Sequence, residues 1–162
     1  MNILIEGLGF RVLLFLFCVV GIRNGAVGLI HLYDKDVQQR AIAQGLTTAE
    51  KIRKNAVCFN IAMVSLYMAY SLICVYAVNG TREFWPGFWQ LTALFLMTGV
   101  FDRIVIDVIW GGHTKAWEIP GTEDLKPYIP IKSFLKKWIV VLILYPAVAA
   151  ILSEIMALIM KS

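Results

Sequence analysis

Charge is what this 162-residue sequence has least of: Asp, Glu, Lys and Arg make up 16% of it, against 59% hydrophobic residues. Soluble domains devote about a quarter of their residues to charge, so disordered and ordinary cytosolic-enzyme classes are excluded and an integral membrane protein remains. Cysteine is scarce too. Cys18, Cys58 and Cys74 form no Cys-x-x-Cys pair, which excludes a redox dyad and a disulfide framework and leaves them as apolar fillers. The two histidines, His31 and His113, lack the His-x-x-x-His or Glu-x-x-His spacing that sets two ligands on one helical face, so no metal site is read. Gly111-Gly112-His113-Thr114 is not followed by Gly-Lys-Ser/Thr and is no phosphate fingerprint. The sequence identifies no cofactor.

What is there is apolar length. Four runs, 12–32, 56–78, 88–110 and 138–160, are each long enough to cross about 30 Å of hydrocarbon. They are continuous rather than alternating, so a barrel is excluded. The expected fold class is all-α: a polytopic four-helix membrane bundle forming a single domain over residues 1–162, with membrane lipid as its surroundings. The first run has no small-residue cleavage site and reads as a retained helix. Outside the runs, ten Lys and Arg residues lie in the two segments 33–55 and 111–137, against Arg11, Arg82 and Lys161 on the other side. Basic residues near span ends stay in the cytoplasm, so both termini are expected on the non-cytoplasmic side. The net charge of +4 follows from that bias and implies no nucleic acid. Asn79-Gly80-Thr81 matches a glycosylation sequon but lies close to the bilayer.

The two basic segments differ. Gly45 reads as a helix stop, and Thr47 with Glu50 reads as a capping box that restarts one. The first helix is therefore expected to run on to about Gln44 and the second to begin near Thr48, forming a cytosolic helical hairpin. Gly111–Lys137 is rich in Gly and Pro yet carries Trp117, Ile119, Leu125, Tyr128 and Ile131. It is expected to be an ordered loop capping the bundle between helices 3 and 4.

Charge inside a span is costly, so it faces the bundle interior and pairs. At about 100° per residue, Asp102, Arg103, Asp107 and Trp110 share one arc of the third helix, and Arg23, Asn24, His31 and Asp34 share one arc of the first. Gly21, Gly25 and Gly28 form a small-residue stripe beside the latter, suited to close approach of another helix. Equal depth predicts an Arg23–Asp102 ion pair, with Arg103–Asp107 as an i, i+4 pair. The resulting seam has Asp107, His113 and His31 as candidates for acid–base catalysis. Arg23, Arg103, Asp102, Asp34, Trp110 and Trp117 are the candidates for binding substrate. The expected function is to bind, and to process chemically, a small amphiphilic or anionic ligand reaching a polar pocket from the cytosolic leaflet. The competing classes are a small transporter working as a homo-oligomer, and an accessory or binding subunit whose intramembrane ion pairs are structural.

Overall fold

The computed structural model describes residues 2–161, and all regular structure among them is helical. There are six α-helices: α1 Ile3–Ile22, α2 Lys35–Ala43, α3 Ala49–Leu72, α4 Phe84–Phe101, α5 Ile131–Ile139 and α6 Tyr145–Lys161. Three stretches of π-helix prolong them: Ile73–Val78 continues α3, Asp102–Gly111 continues α4, and Val140–Leu144 joins α5 to α6. Ile3–Ile22, Ala49–Val78 and Ile131–Lys161 are long and apolar enough to cross a membrane. Their outer surfaces expose Leu4, Leu8, Leu16, Ile61, Val64, Leu142, Ile151 and Leu158. Water penalises such surfaces and hydrocarbon does not, which is the character of a membrane protein.

The fourth rod, α4 with its continuation, differs. It packs along both α6 and α1 and buries Gln90, Leu91, Thr92, Leu94, Phe95, Thr98 and Gly99. Pro86 falls in its first turn, where no helical hydrogen bond is lost. A Cβ on Gly99 would stand 2.8 Å from the Tyr145 ring, so glycine sets the close approach of α4 and α6. Two core clusters lie along the rod. One gathers Phe10, Val75, Leu91, Leu94, Phe95 and Ala149; the other gathers Leu14, Ile30, Val37, Ala41, Ile106, Trp117 and Ile119.

At the first end Asn79, Gln90 and Thr81 satisfy one another. Asn79 Nδ2 donates to Glu6 Oε2 (3.2 Å) and Gln90 Oε1 (2.9 Å), and Gln90 Nε2 donates to Thr81 Oγ1 (2.9 Å). Both polar residues of the sequon are thus engaged in packing.

Several expectations are corrected, most of them at the other end. The first helix neither starts at 12 nor runs to Gln44: it spans Ile3–Ile22 and stops at Gly25, whose φ of 98° and ψ of 156° lie in a region open essentially to glycine alone. Apolar composition continues past that point, but the backbone does not. The chain turns into a 3₁₀ segment, Ala26–Leu32, and packs against the end of α1, where a Cβ on Gly28 would meet the Gly21 carbonyl oxygen at 2.7 Å. The glycine stripe therefore admits first the chain's own next segment, and Asn55 of α3 donates to its Gly28 carbonyl (3.2 Å). No hairpin arm projects, because α2 puts Val37 and Ala41 into the core. Gly45 ends α2 as expected, with Leu46 N–H on the Ala41 carbonyl and Gly45 N–H on that of Ile42. The cap of α3 is Thr48, whose hydroxyl accepts from Lys51 N, while Thr47 is buried. The last helical rod starts at Ile131, directly after Pro130, not at 138.

Since nothing lies within 4 Å of a Cβ built on Gly25, Gly25→Ala tests backbone conformation alone. It should cost about 1–3 kcal/mol, read as a lower midpoint of thermal unfolding in detergent. An unchanged midpoint would show that the turn does not need its glycine.

Candidate functional site

The π stretch Asp102–Gly111 carries the charges of α4. Hydrogen bonds spanning five residues stack residues five apart, so Asp102 and Asp107 come to one side of the helix, and wide turns of this kind recur at functional sites. The Arg103 guanidinium serves both acids: Nη2 donates to Asp102 Oδ2, and Nη1 stands 2.5 Å from Asp107 Oδ2. From α5, Lys137 Nζ donates to the same Asp107 oxygen at 3.1 Å. Arg103 and Asp107 side chains are each 12% exposed and Lys137 is 33% exposed.

These groups border a cavity of about 1030 Å³. Leu14, Cys18, Phe59, Met63, Ile106, Phe134, Val141 and Tyr145 supply its apolar wall, and His113, Lys115, Trp117, Glu118 and Lys126–Ile129 close its other side. The loop is ordered, as its apolar residues implied: Ile119 is fully buried, Tyr33 Oη donates to the Trp117 carbonyl (2.6 Å), and Glu118 pairs with Lys126. From α2, Arg40 pairs with Asp124 (3.2 Å) and Gln44 Nε2 donates to the Gly121 carbonyl (2.9 Å). Thr122 is buried and bonds the Ile119 carbonyl, a structural role.

The structure brings Asp102, Arg103, Asp107, His113 and Trp117 to the cavity. It does not bring Arg23, His31, Asp34 or Trp110 there. Arg23 lies exposed in the turn after α1 and has no side-chain partner among the described residues; the expected Arg23–Asp102 pair is replaced by the adjacent Arg103. That pair was inferred from depth along a straight first helix, and the helix ends one residue before Arg23. Asp34 accepts from Ser133 Oγ at 3.3 Å, fastening the start of α2 to α5. Trp110 packs edge-on to Trp117 (5.3 Å between centroids) and against Phe15, behind the cavity wall. His31 packs edge-on to Phe59 (5.1 Å), and neither ring nitrogen has a hydrogen-bond partner among the described residues. His113 sets Nδ1 2.7 Å from the Val108 carbonyl; a neutral ring donating there turns an Nε2 lone pair outward.

Sequence reasoning missed Lys137, Tyr33, Tyr128, Phe134 and Tyr145 as cavity residues. For Lys137 a signal existed. Once the last rod is started at Ile131, the exposed Ile131, Leu135 and Ile139 mark one side of α5, and Phe134, Lys137 and Val141 fall on the other.

Fold and site together define a helical protein of membrane character with a buried ion-paired cluster on the wall of a mostly apolar cavity. Comparison of the chain with protein-family models, with curated proteins and with solved structures gives no match.

Two outcomes follow. Arg103→Met leaves Asp102 without a partner and Asp107 with Lys137 alone, and should cost about 3–5 kcal/mol, most of it regained in Arg103→Met/Asp102→Asn; equal unfolding midpoints for the two variants would refute the pairing. Burial holds the His31 pKa below its ordinary 6.5, so the unfolded chain binds the proton more readily. The His31 contribution is present above pH 6.5 and is lost as pH falls below it. His31→Phe should flatten the pH dependence of stability between about pH 7 and 5.

Proposed function

We propose that the protein crosses the bilayer four times, with Phe84–Gly111 as its enclosed span and both termini outside, and that it takes up a small amphiphilic molecule from the cytosolic leaflet into the cavity beside Asp107. The cavity carries this reading. Its volume of about 1030 Å³ is at the upper end of small-molecule sites, and a mostly apolar wall with a few placed polar groups is what such sites use to bury a ligand and fix its orientation. An acyl or aryl portion matches Leu14, Phe59, Met63 and Val141, and a polar head matches the cluster of Asp102, Arg103, Asp107 and Lys137.

The span and orientation rest on physical arguments of the same kind. Phe84–Phe101 packs against α1 and α6, and Asp102–Gly111 meets α1 and α5, so its three charges are paired and turned from lipid. The basic residues lie at the end where the cavity is closed by the 111–130 loop, which points that end to the cytosol. Chemical processing has its groups at hand. The exposed His113 Nε2 and the free oxygen of Asp107 border the same space, as acid–base transfer requires.

A structural role for the cluster is favoured by one observation, the Lys137–Asp107 contact that ties α5 to α4. The test separates the two. Met63→Trp fills the cavity without touching a charge. Purified wild-type protein should release a stoichiometric amphiphile on denaturation, detected by mass spectrometry, and Met63→Trp should release none while unfolding at a similar temperature. If neither protein releases an amphiphile, and none added to saturation raises the wild-type midpoint, the cluster is structural. A saturating ligand at a hundred times its Kd stabilises by about 2.7 kcal/mol, well within detection.

A further inference from the structure

The charges that border the cavity away from water cancel. Asp102 and Asp107 are matched by Arg103 and Lys137, and Glu118 by Lys126, which leaves Lys115, exposed to solvent that screens it. A headgroup entering this neutral cluster with a net charge of its own would place that charge, unbalanced, in a poorly solvated space. An anion would also face two carboxylates, and Arg23, a candidate for holding it, does not reach the cavity.

Polar capacity is left over on both sides of the balance. Each carboxylate is engaged through Oδ2 alone, so Asp102 Oδ1 and Asp107 Oδ1 receive no hydrogen bond among the described residues. Lys137 Nζ has further N–H groups beyond the one spent on Asp107. On the facing wall the Trp117 side chain is more than nine-tenths buried, yet its indole N–H has no acceptor among the described residues. Free acceptors and free donors around one space call for a group that both donates and accepts, and a hydroxyl does both without carrying charge.

We infer that the ligand is an amphiphile with an uncharged, hydroxyl-bearing head, of the monoacylglycerol class. This rests on the amphiphile reading above and narrows it from amphiphilic or anionic molecules to neutral ones. The hydroxyls donate to the two free carboxylate oxygens and accept from Lys137 and the Trp117 indole, while the chain lies along Phe59, Met63 and Val141.

Three probes with one ten-carbon chain test it: decanoylglycerol, decanoate and decylammonium, titrated into the detergent-solubilised full chain at pH 7.5 and counted by native mass spectrometry. Decanoylglycerol should bind one per chain and about tenfold more tightly than either ion, the worth of one or two well-made hydrogen bonds. Asp107→Asn leaves the cluster with a surplus positive charge and should shift preference to decanoate; Lys137→Met leaves a surplus negative charge and should shift it to decylammonium. Tightest binding of either ion to the wild type overturns the inference while leaving the amphiphile reading intact, whether or not the variants fold. An unaltered order of preference in both folded variants also overturns it, because charge balance would then not select the head. Binding of none of the three removes the amphiphile reading itself, and the inference with it.

Discussion

One guanidinium held between two carboxylates governs the rest of this structure. An uncompensated charge inside a helical bundle costs several kcal/mol, and Asp102, Arg103 and Asp107 put three such charges on the continuation of α4, where it packs against α1 and α5. The wide turn makes the solution local: with hydrogen bonds spanning five residues, the two acids fall on one side and a single side chain reaches both. One negative charge is still left over, and its partner must come from elsewhere. Lys137 supplies it from α5, so the neutrality of α4 depends on how the last rod is docked.

That dependence explains why the cavity lies where it does. Val140–Leu144, the segment joining α5 to α6, is also wide-turned and packs beside α4, so both helices bordering the cavity depart from regular α geometry at the same level. Neither presents an uninterrupted ridge to the other, and side chains that would interdigitate between regular helices leave a space instead. The loop borders the far side and is itself tied down by Arg40 of α2 and by its flanking residues Gln44 and Tyr33, the latter through Trp117. A short amphipathic helix with two buried residues thus has its structural reason in the loop that it fastens.

Much of this was legible in the residues, and the failures have physical causes. Composition and run length located the apolar rods, because burial in hydrocarbon needs nothing more than length. The stop at Gly25 was invisible to the same criterion, since Ala26–Leu32 is as apolar as the helix before it and only the glycine's backbone freedom separates the two. Arg23 failed for that reason: its depth was counted along a helix that had already ended. Angles taken at about 100° per residue set Asp102 and Asp107 some 140° apart, whereas the wide turn brings them together on Arg103. Direction was thus right for the cluster and wrong for its partner. Lys137 was read only as a topological charge, because the last helix was started where its apolar run becomes continuous instead of at the proline that begins it.

The two ends of the bundle differ in what they do with polarity, and that difference separates scaffold from site. Around Asn79 the amide donates twice, Gln90 both accepts and donates, and Thr81 accepts. A buried network so closed has nothing to offer a further molecule, and its worth is in fixing how α1, α3 and α4 meet. Around Asp107 the charges are balanced but the hydrogen bonds are not: two carboxylate oxygens, an ammonium and an indole N–H retain capacity beside open volume. Buried polar groups are ordinarily satisfied, because leaving them unpaired costs as much as a lost hydrogen bond. Polar atoms are left over elsewhere too, among them Arg11 Nε and Thr92 Oγ1, but around Asp107 they border the cavity of about 1030 Å³, and it is there that the proposed ligand would complete them.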